Sequence, residues 1–142
     1  MRVALGSDMK NELTEALQHL LRSRGHQITL HGALSSENDS WTHAARRVAQ
    51  AVSSGDADSG IVCCWTGTGV SIAANKVRGI RAALCHDPQT AAGARKWNDA
   101  NVLALSLRAT SVPLGEEILD AWLAESRTAD PKYQAMIEDV ER

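Results

Sequence analysis

Apolar residues in this chain alternate between two rhythms. Short apolar runs at Arg2–Gly6, Gln27–His31, Ser59–Cys64, Arg81–Cys85 and Val102–Ser106 have the length of strands. Between them, apolar positions recur at helical spacing. Residues 11–24 put Leu13, Ala16, Leu17, Leu20 and Leu21 on one stripe that Gly25 ends. Residues 41–53 turn Ala44, Ala45, Val48 and Val52 inward, after a polar loop at 32–40. Val70–Lys76 reads as a short helix, and residues 112–125 align Leu114, Ile118, Ala121 and Trp122. Asp87-Pro88 and Asp130-Pro131 each pair a capping carboxylate with proline at a first helical position. They open helices running towards Trp97 and to about Val140.

The resulting order is β-α-β-α-β-α-β-α-β-α-α. Strict alternation with short apolar strands predicts an α/β fold of three layers, a five-stranded parallel sheet between helices. No repeat or linker divides the chain, so residues 1–142 are expected to form one domain, with an extra helix at the C-terminus. After the polar Glu125–Asp130 break, that helix is free to separate and pack on a neighbouring subunit.

An open parallel sheet binds ligands at the carboxyl ends of its strands. Those ends are Asp8, Cys64–Gly69, Cys85–Asp87 and Ser106–Arg108. With strand order 2-1-3-4-5, strands one and three are neighbours, and Asp8 faces Cys64 across the crevice.

Residues 63–75, CCWTGTGVSIAAN, concentrate the chemistry. A buried strand ends at Cys64, a Thr66-Gly67-Thr68-Gly69 turn follows, and a helix begins. A helix N-terminus favours negative charge and offers free N–H groups, which suits a thiolate base and an anion beside it. Adjacent strand residues face opposite ways, so Cys63 is expected in the core and Cys64 at the site. The loop lacks the Gly-Lys-Ser/Thr of a Walker loop. Ile72 stands where a dinucleotide fingerprint needs its third glycine. Val70 stands where a cysteine phosphatase needs arginine, and no Cys-x-x-Cys is present. A thiol beside a nest of N–H groups fits proton abstraction next to a carbonyl, with the nest holding the enediolate oxygen.

Other residues carry two readings each. Asp8 serves a site or caps a helix. Asn98, Asp99 and Asn101 bind a ligand or shape a turn. Arg108 grips a phosphate or is solvated. His86, at the end of strand four, is a candidate for proton exchange at the site. His19, His26, His31 and His43 lack metal-ligand spacing. Trp65 and Trp97 are candidate pocket walls, while Trp41 and Trp122 are read as packing.

Composition narrows the setting. Fifteen basic residues against 17 acidic give a net charge of −2, without the basic stripe that nucleic acid or a membrane surface requires. The first residues, Met1-Arg2-Val3-Ala4-Leu5-Gly6, turn polar too soon for a signal peptide, and no apolar run reaches membrane-spanning length. Three cysteines then suggest a reducing cytoplasm, where the Asn38-Asp39-Ser40 sequon has no use.

Cys64-Trp65-Thr66-Gly67-Thr68-Gly69-Val70-Ser71-Ile72-Ala73-Ala74-Asn75-Lys76 resembles the Cys-Gly-Thr-Gly-x-Gly-x-Ser-x-Ala-Ala-Asn-Lys segment of the type B ribose-5-phosphate isomerase family, which includes galactose-6-phosphate isomerase subunits. Gly6-Ser7-Asp8, Gly79-Ile80-Arg81-Ala82, Asn98-Asp99-Ala100-Asn101-Val102-Leu103-Ala104 and Asp120-Ala121-Trp122-Leu123 extend the likeness. It implies a flavodoxin-like sheet and a homodimer, often paired into a tetramer, with sites at the dimer interface. It also implies a sugar-phosphate aldose–ketose isomerase that works through a cis-enediolate without cofactor or metal. Cys64 would move the proton, with Asp8 and Thr66 in the catalytic set. The amides of Gly67, Thr68, Gly69 and Val70 would steady the enediolate. Asp8 and Asn98 would meet sugar hydroxyls, and Arg108 the phosphate.

The chain departs from that family at telling places. Met9 and Trp97 stand where histidines are usual, the second assigned to ring opening. Trp65 replaces a glycine and narrows the pocket. Lys132 is the only basic residue in residues 128–134, where phosphate-binding arginines are usual. His86 is a candidate substitute acid. Two charge-assisted contacts at roughly 1.5–3 kcal/mol each amount to about two orders of magnitude in binding. General acid catalysis typically contributes about 10²–10⁴-fold. A changed substrate, such as an open-chain tetrulose phosphate, fits these departures. The alternatives are a degenerate member that binds a ligand or partners another subunit and, by fold analogy alone, a flavin or nucleotide module.

Overall fold

A computed structural model describes residues 1–142. Five strands and six helices follow the expected order: β1 (Arg2–Ser7), α1 (Glu12–Ser23), β2 (Gln27–Gly32), α2 (Trp41–Ser53), β3 (Ser59–Cys64), α3 (Thr68–Asn75), β4 (Ala82–Leu84), α4 (Pro88–Asn98), β5 (Val102–Ser106), α5 (Val112–Ala124) and α6 (Pro131–Val140). A 3-10 turn at Ala33–Ser35 lies within the polar loop after β2.

Local chemistry sets the helix starts. Asn11 and Thr14 form a reciprocal capping box that opens α1. The Ser40 hydroxyl accepts the His43 N–H at 3.1 Å and opens α2. The Asp87 carboxylate accepts the Thr90 N–H, and Pro88 follows at the first position of α4. Asp130 and Pro131 do the same for α6.

The sheet is parallel throughout, but its order is β2-β1-β3-β5-β4 and not 2-1-3-4-5. Burial explains the exchange. A strand between two others, with helices above and below, must be apolar on both faces. Val102–Ser106 is buried at every position, whereas Ala82–Leu84 is short and half-buried at every position. The shorter strand therefore takes the edge. Helix α4 packs on α5, and α5 on α1, so the return from β4 to β5 crosses the face opposite α2 and α3. A right-handed crossover requires that side.

Two apolar layers sandwich the sheet. Leu13, Leu17, Cys63, Leu103, Leu105, Ile118 and Trp122 fill the layer under α1, α4 and α5. Val48, Val62, Cys64, Val70, Ala74 and Ala104 fill the layer under α2 and α3. The pleat thus sends Cys63 and Cys64 to opposite faces. Helix α6 buries no side chain and lies back against α4 of its own chain. Arg81 holds it there, pairing with Glu141 and, at 3.2 Å, with Asp99.

Candidate active site

Pairing of β1 with β3 sets Ser7 level with Cys63, so Asp8, just past β1, and Cys64, the last residue of β3, lie side by side at the rim of the sheet. Both line a cleft of about 290 Å³ with Trp41, Trp65, Thr66, Thr68 and Gly69. Seven residues from three places in the sequence meet there: the end of β1, the start of α2 and the β3–α3 loop.

Asp8 does not cap α1, because Asn11 does. The Ser7 hydroxyl instead shapes the turn, donating to the Met9 carbonyl at 2.7 Å and accepting the Met9 N–H at 3.3 Å. Asp8 is left with Oδ1 buried and without a partner. Desolvation raises its carboxyl above the usual range, and the charge of Asp39 adds to the rise.

Cys64 ends β3 and is 5% exposed. Its carbonyl accepts the Leu107 N–H, and the Trp65 carbonyl accepts the Arg108 N–H, each at 2.9 Å. The Ser106 hydroxyl also donates to the Trp65 carbonyl at 2.9 Å. The end of β5 therefore pins the loop that carries the thiol. Gly67 turns that loop with φ of +77°. A Cβ on it would stand 2.6 Å from Leu84 Cδ1 and 2.9 Å from the Leu105 carbonyl carbon, so both shape and space demand glycine. Thr66 and Thr68 join hydroxyls at 2.8 Å.

No side chain caps α3. The N–H groups of its first turn, Thr68, Gly69 and Val70, have no carbonyl within the helix to reach. Together with the positive end of the helix dipole they favour an anion beside Cys64. Val70 contributes only its amide; its side chain is core. The other two thiols are unsuited to ionise. Burial raises Cys85 to about 11 and drives fully buried Cys63 higher still.

The corrected strand order changes the neighbours of the thiol. With β4 at the edge, His86 is separated from β3 by β5 and is exposed outside the cleft. The end of β5 takes that place and brings the exposed Arg108 beside the loop.

Asn98, Trp97 and Lys132 do not join the cleft. Trp97 and Asn98 line a separate cavity of about 650 Å³ between the α3–β4 connection and α6. That cavity is the larger, but it contains no thiol, and its Glu141 is paired with Arg81. Lys132 is exposed on α6, its ammonium 5.8 Å from the Tyr133 ring centre. Asn101 is a turn residue, accepting the Arg81 N–H and donating to the Gly79 carbonyl, each at 2.8 Å.

Trp122 is core as expected, but Trp41 is not mere packing: it is 42% exposed and walls the cleft. Hydrophobic spacing could not find it, because it lies outside the inward stripe of α2. Topology could, since the first residue of a helix that follows β2 lies at the ligand-binding rim.

No group of three or more His, Cys, Asp or Glu side chains converges to hold a metal, and no helix is long and apolar enough to cross a membrane.

Comparison with known proteins matches residues 3–140 to the family model described as Ribose/Galactose Isomerase. Ribose-5-phosphate isomerase B of Escherichia coli is 42% identical, over 98% of this chain and 93% of that protein. D-erythrulose-4-phosphate isomerase of Pectobacterium atrosepticum is 40% identical, over 87% of this chain and 82% of that one. The solved structure of Clostridium thermocellum ribose-5-phosphate isomerase B superposes with a TM-score of 0.93 at 36% identity, covering 99% of this chain and 95% of that one.

Proposed function

This chain belongs to the ribose/galactose isomerase family and is an aldose–ketose isomerase of a small sugar phosphate, and we propose that Cys64 is the base that moves its proton. In the aldose-to-ketose direction, the Cys64 thiolate removes the proton from C2. The C–H electron pair forms the C1–C2 double bond, and the carbonyl pair moves onto O1. The same thiol then delivers the proton to C1, while the hydroxyl proton passes from O2 to O1, so nothing is gained or lost. The first-turn N–H groups of α3 face the oxygen on which charge develops, where fixed dipoles act most strongly. Asp8 and Thr66 meet the sugar hydroxyls.

One observation carries this reading: Asp8 and Cys64 share a cleft at the uncapped N-terminus of α3. Arg108 is the nearest candidate for the phosphate, since its own N–H donates to the Trp65 carbonyl. The lining of the cleft itself has no cation. Trp97, Asn98 and Lys132 lie elsewhere on the same chain, which supports a homodimer whose second copy brings them over the cleft. Sedimentation equilibrium checks that reading, and a monomeric mass would remove it.

The mechanism is tested by following deuterium exchange from solvent into the substrate carbon beside the carbonyl. Cys64→Ala is expected to abolish both exchange and turnover. Cys63→Ala, altered on the opposite face of the sheet, is expected to retain both. Equal exchange in wild type and Cys64→Ala would exclude the thiol as base.

A further inference from the structure

Three residues stand in a row across the rim of the sheet. Asp8 lies beside Cys64 on the β1 side, and the β3–β5 register sets Ser106 level with Cys64 on the other. Ser106 follows Val102 and Ala104 at alternate positions of β5, so its side chain takes the same face as theirs and as that of Cys64. A hydroxyl beside a thiol suggests a proton relay, but its bonds exclude that role. The Ser106 hydroxyl donates to the Trp65 carbonyl at 2.9 Å and accepts the Ala109 N–H at 3.1 Å, so its proton is already committed. Ser106 is 2% exposed.

The Trp65 carbonyl is a joint. It stands directly after Cys64 and directly before the Thr66–Gly69 turn, and it also accepts the Arg108 N–H at 2.9 Å. The Ser106 carbonyl accepts the Thr110 N–H at 3.1 Å and closes the turn that bears Arg108. The thiol, the N–H groups at the start of α3 and Arg108 thus take their places from one peptide unit. The Ser106 hydroxyl is the only side chain that bonds its carbonyl. Resting on the isomerase reading above, we infer that Ser106 is a positioning residue for the reaction: it fixes the direction of the Trp65 carbonyl, and through it the placement of the anion-binding N–H groups relative to the Cys64 thiol. Both bonds of its hydroxyl are made within the chain at a buried position, so the clasp needs nothing from a second copy laid over the cleft.

Alanine at this position removes both bonds and leaves the fold most of its support. The Trp65 carbonyl keeps the Arg108 N–H, and the N–H of Ala109, an exposed residue, turns to water. What is lost is direction, because a carbonyl held by two donors is fixed and one held by a single donor can rock. Proton transfer at carbon is sensitive to such freedom, since misplacing reacting groups by about 1 Å costs roughly 10²-fold.

The test measures kcat, KM and thermal unfolding for Ser106→Ala beside Ser59→Ala. Ser59 also has a buried hydroxyl, bonded to the Trp122 indole at the amino end of β3, away from the cleft. The assay substrate is whichever of D-ribose 5-phosphate, D-erythrose 4-phosphate and D-galactose 6-phosphate the wild type turns over fastest. Ser106→Ala is expected to lower kcat about tenfold with KM within about threefold of wild type, because Arg108 keeps its backbone bond. Ser59→Ala is expected to leave kcat within about twofold of wild type. A folded Ser106→Ala with wild-type kcat overturns the inference, and so does an equal loss of kcat in Ser59→Ala or a loss confined to KM. A Ser106→Ala that fails to fold overturns it too, since the hydroxyl would then be a support of the fold. None of these outcomes touches the role of Cys64. Full activity in Cys64→Ala, or no turnover of any of the three substrates by wild type, removes the reading of the site and this inference with it.

Discussion

The two ends of the sheet treat their polar groups in opposite ways. At the amino ends of the strands, polar groups are paired. The Asp58 carboxylate accepts the Arg2 N–H at 2.7 Å and meets the Arg2 guanidinium at 2.8 Å. The Ser59 hydroxyl accepts the indole N–H of Trp122 at 3.1 Å, and both functions of the Asn101 amide are used. At the carboxyl ends the pattern reverses. The buried side-chain atoms without partners belong to Asp8, His31 and Thr110, at or just past the ends of β1, β2 and β5. Unpaired buried polar atoms are costly, and of these three Asp8 lines the cleft, where a ligand can satisfy it. The amino end is finished by its own side chains; at the carboxyl end Ser7 and Ser106 are likewise paired, but Asp8 is left for what the cleft binds.

The largest expected break in this contrast comes from Trp122. It is fully buried in the layer under α1, α4 and α5, and it anchors α5 to the amino end of β3. Trp122→Ala is expected to cost about 3–5 kcal/mol of stability. Thermal or denaturant unfolding measures it. In the cold, where the variant stays folded, kcat should be close to that of wild type, because Trp122 lies at the end of β3 opposite the cleft. A stable Trp122→Ala with strongly reduced kcat would mean that the two ends are not separable.

Much of this division was legible in the sequence. Alternating apolar runs located all five strands, and β3, β5 and α6 match their expected limits. Cys64, Asp8 and the Thr66–Gly69 turn met at one cleft because the carboxyl-end rule depends only on chain direction. Strand order was not legible. Arg81–Cys85 reads as a strand as good as Val102–Ser106, and only burial on both faces in three dimensions decides which takes the interior. His86 was misplaced for that reason, as β4 moved to the edge. Trp41 was missed because amphipathic spacing sorts inside from outside and says nothing about which end of a helix meets a ligand. Trp97, Asn98 and Lys132 stand apart from the cleft, the first two in the cavity beside α6 and the third exposed, because a motif names residues without fixing the distances between them.

The smallest effect, and the sharpest for the contrast, is a pair of opposite pH dependences. Asp8 is raised by desolvation, so folding favours its protonated form. Its ionisation costs stability at neutral pH, and that cost disappears as pH falls through its raised pKa. Asp58 is lowered to about 2 by hydrogen bonds from Arg2, so folding favours its ionised form. It stabilises above the ordinary carboxylate range, and that contribution is lost as pH falls from about 4 towards 2. Asp8→Asn is therefore expected to raise Tm at pH 7 while impairing turnover, and Asp58→Asn to lower Tm at pH 7 while sparing it. Both differences should shrink towards zero at acid pH, where wild type is protonated at each position. The Asp58→Asn effect should be the smaller of the two and should fade with added salt, since an exposed pair is screened. Thermal unfolding of both variants from pH 7 to pH 2, at low and high salt, measures all of this. Changes of the same sign at pH 7 would mean that Asp8 is satisfied by its own fold after all, and the cleft would lose its unpaired acid.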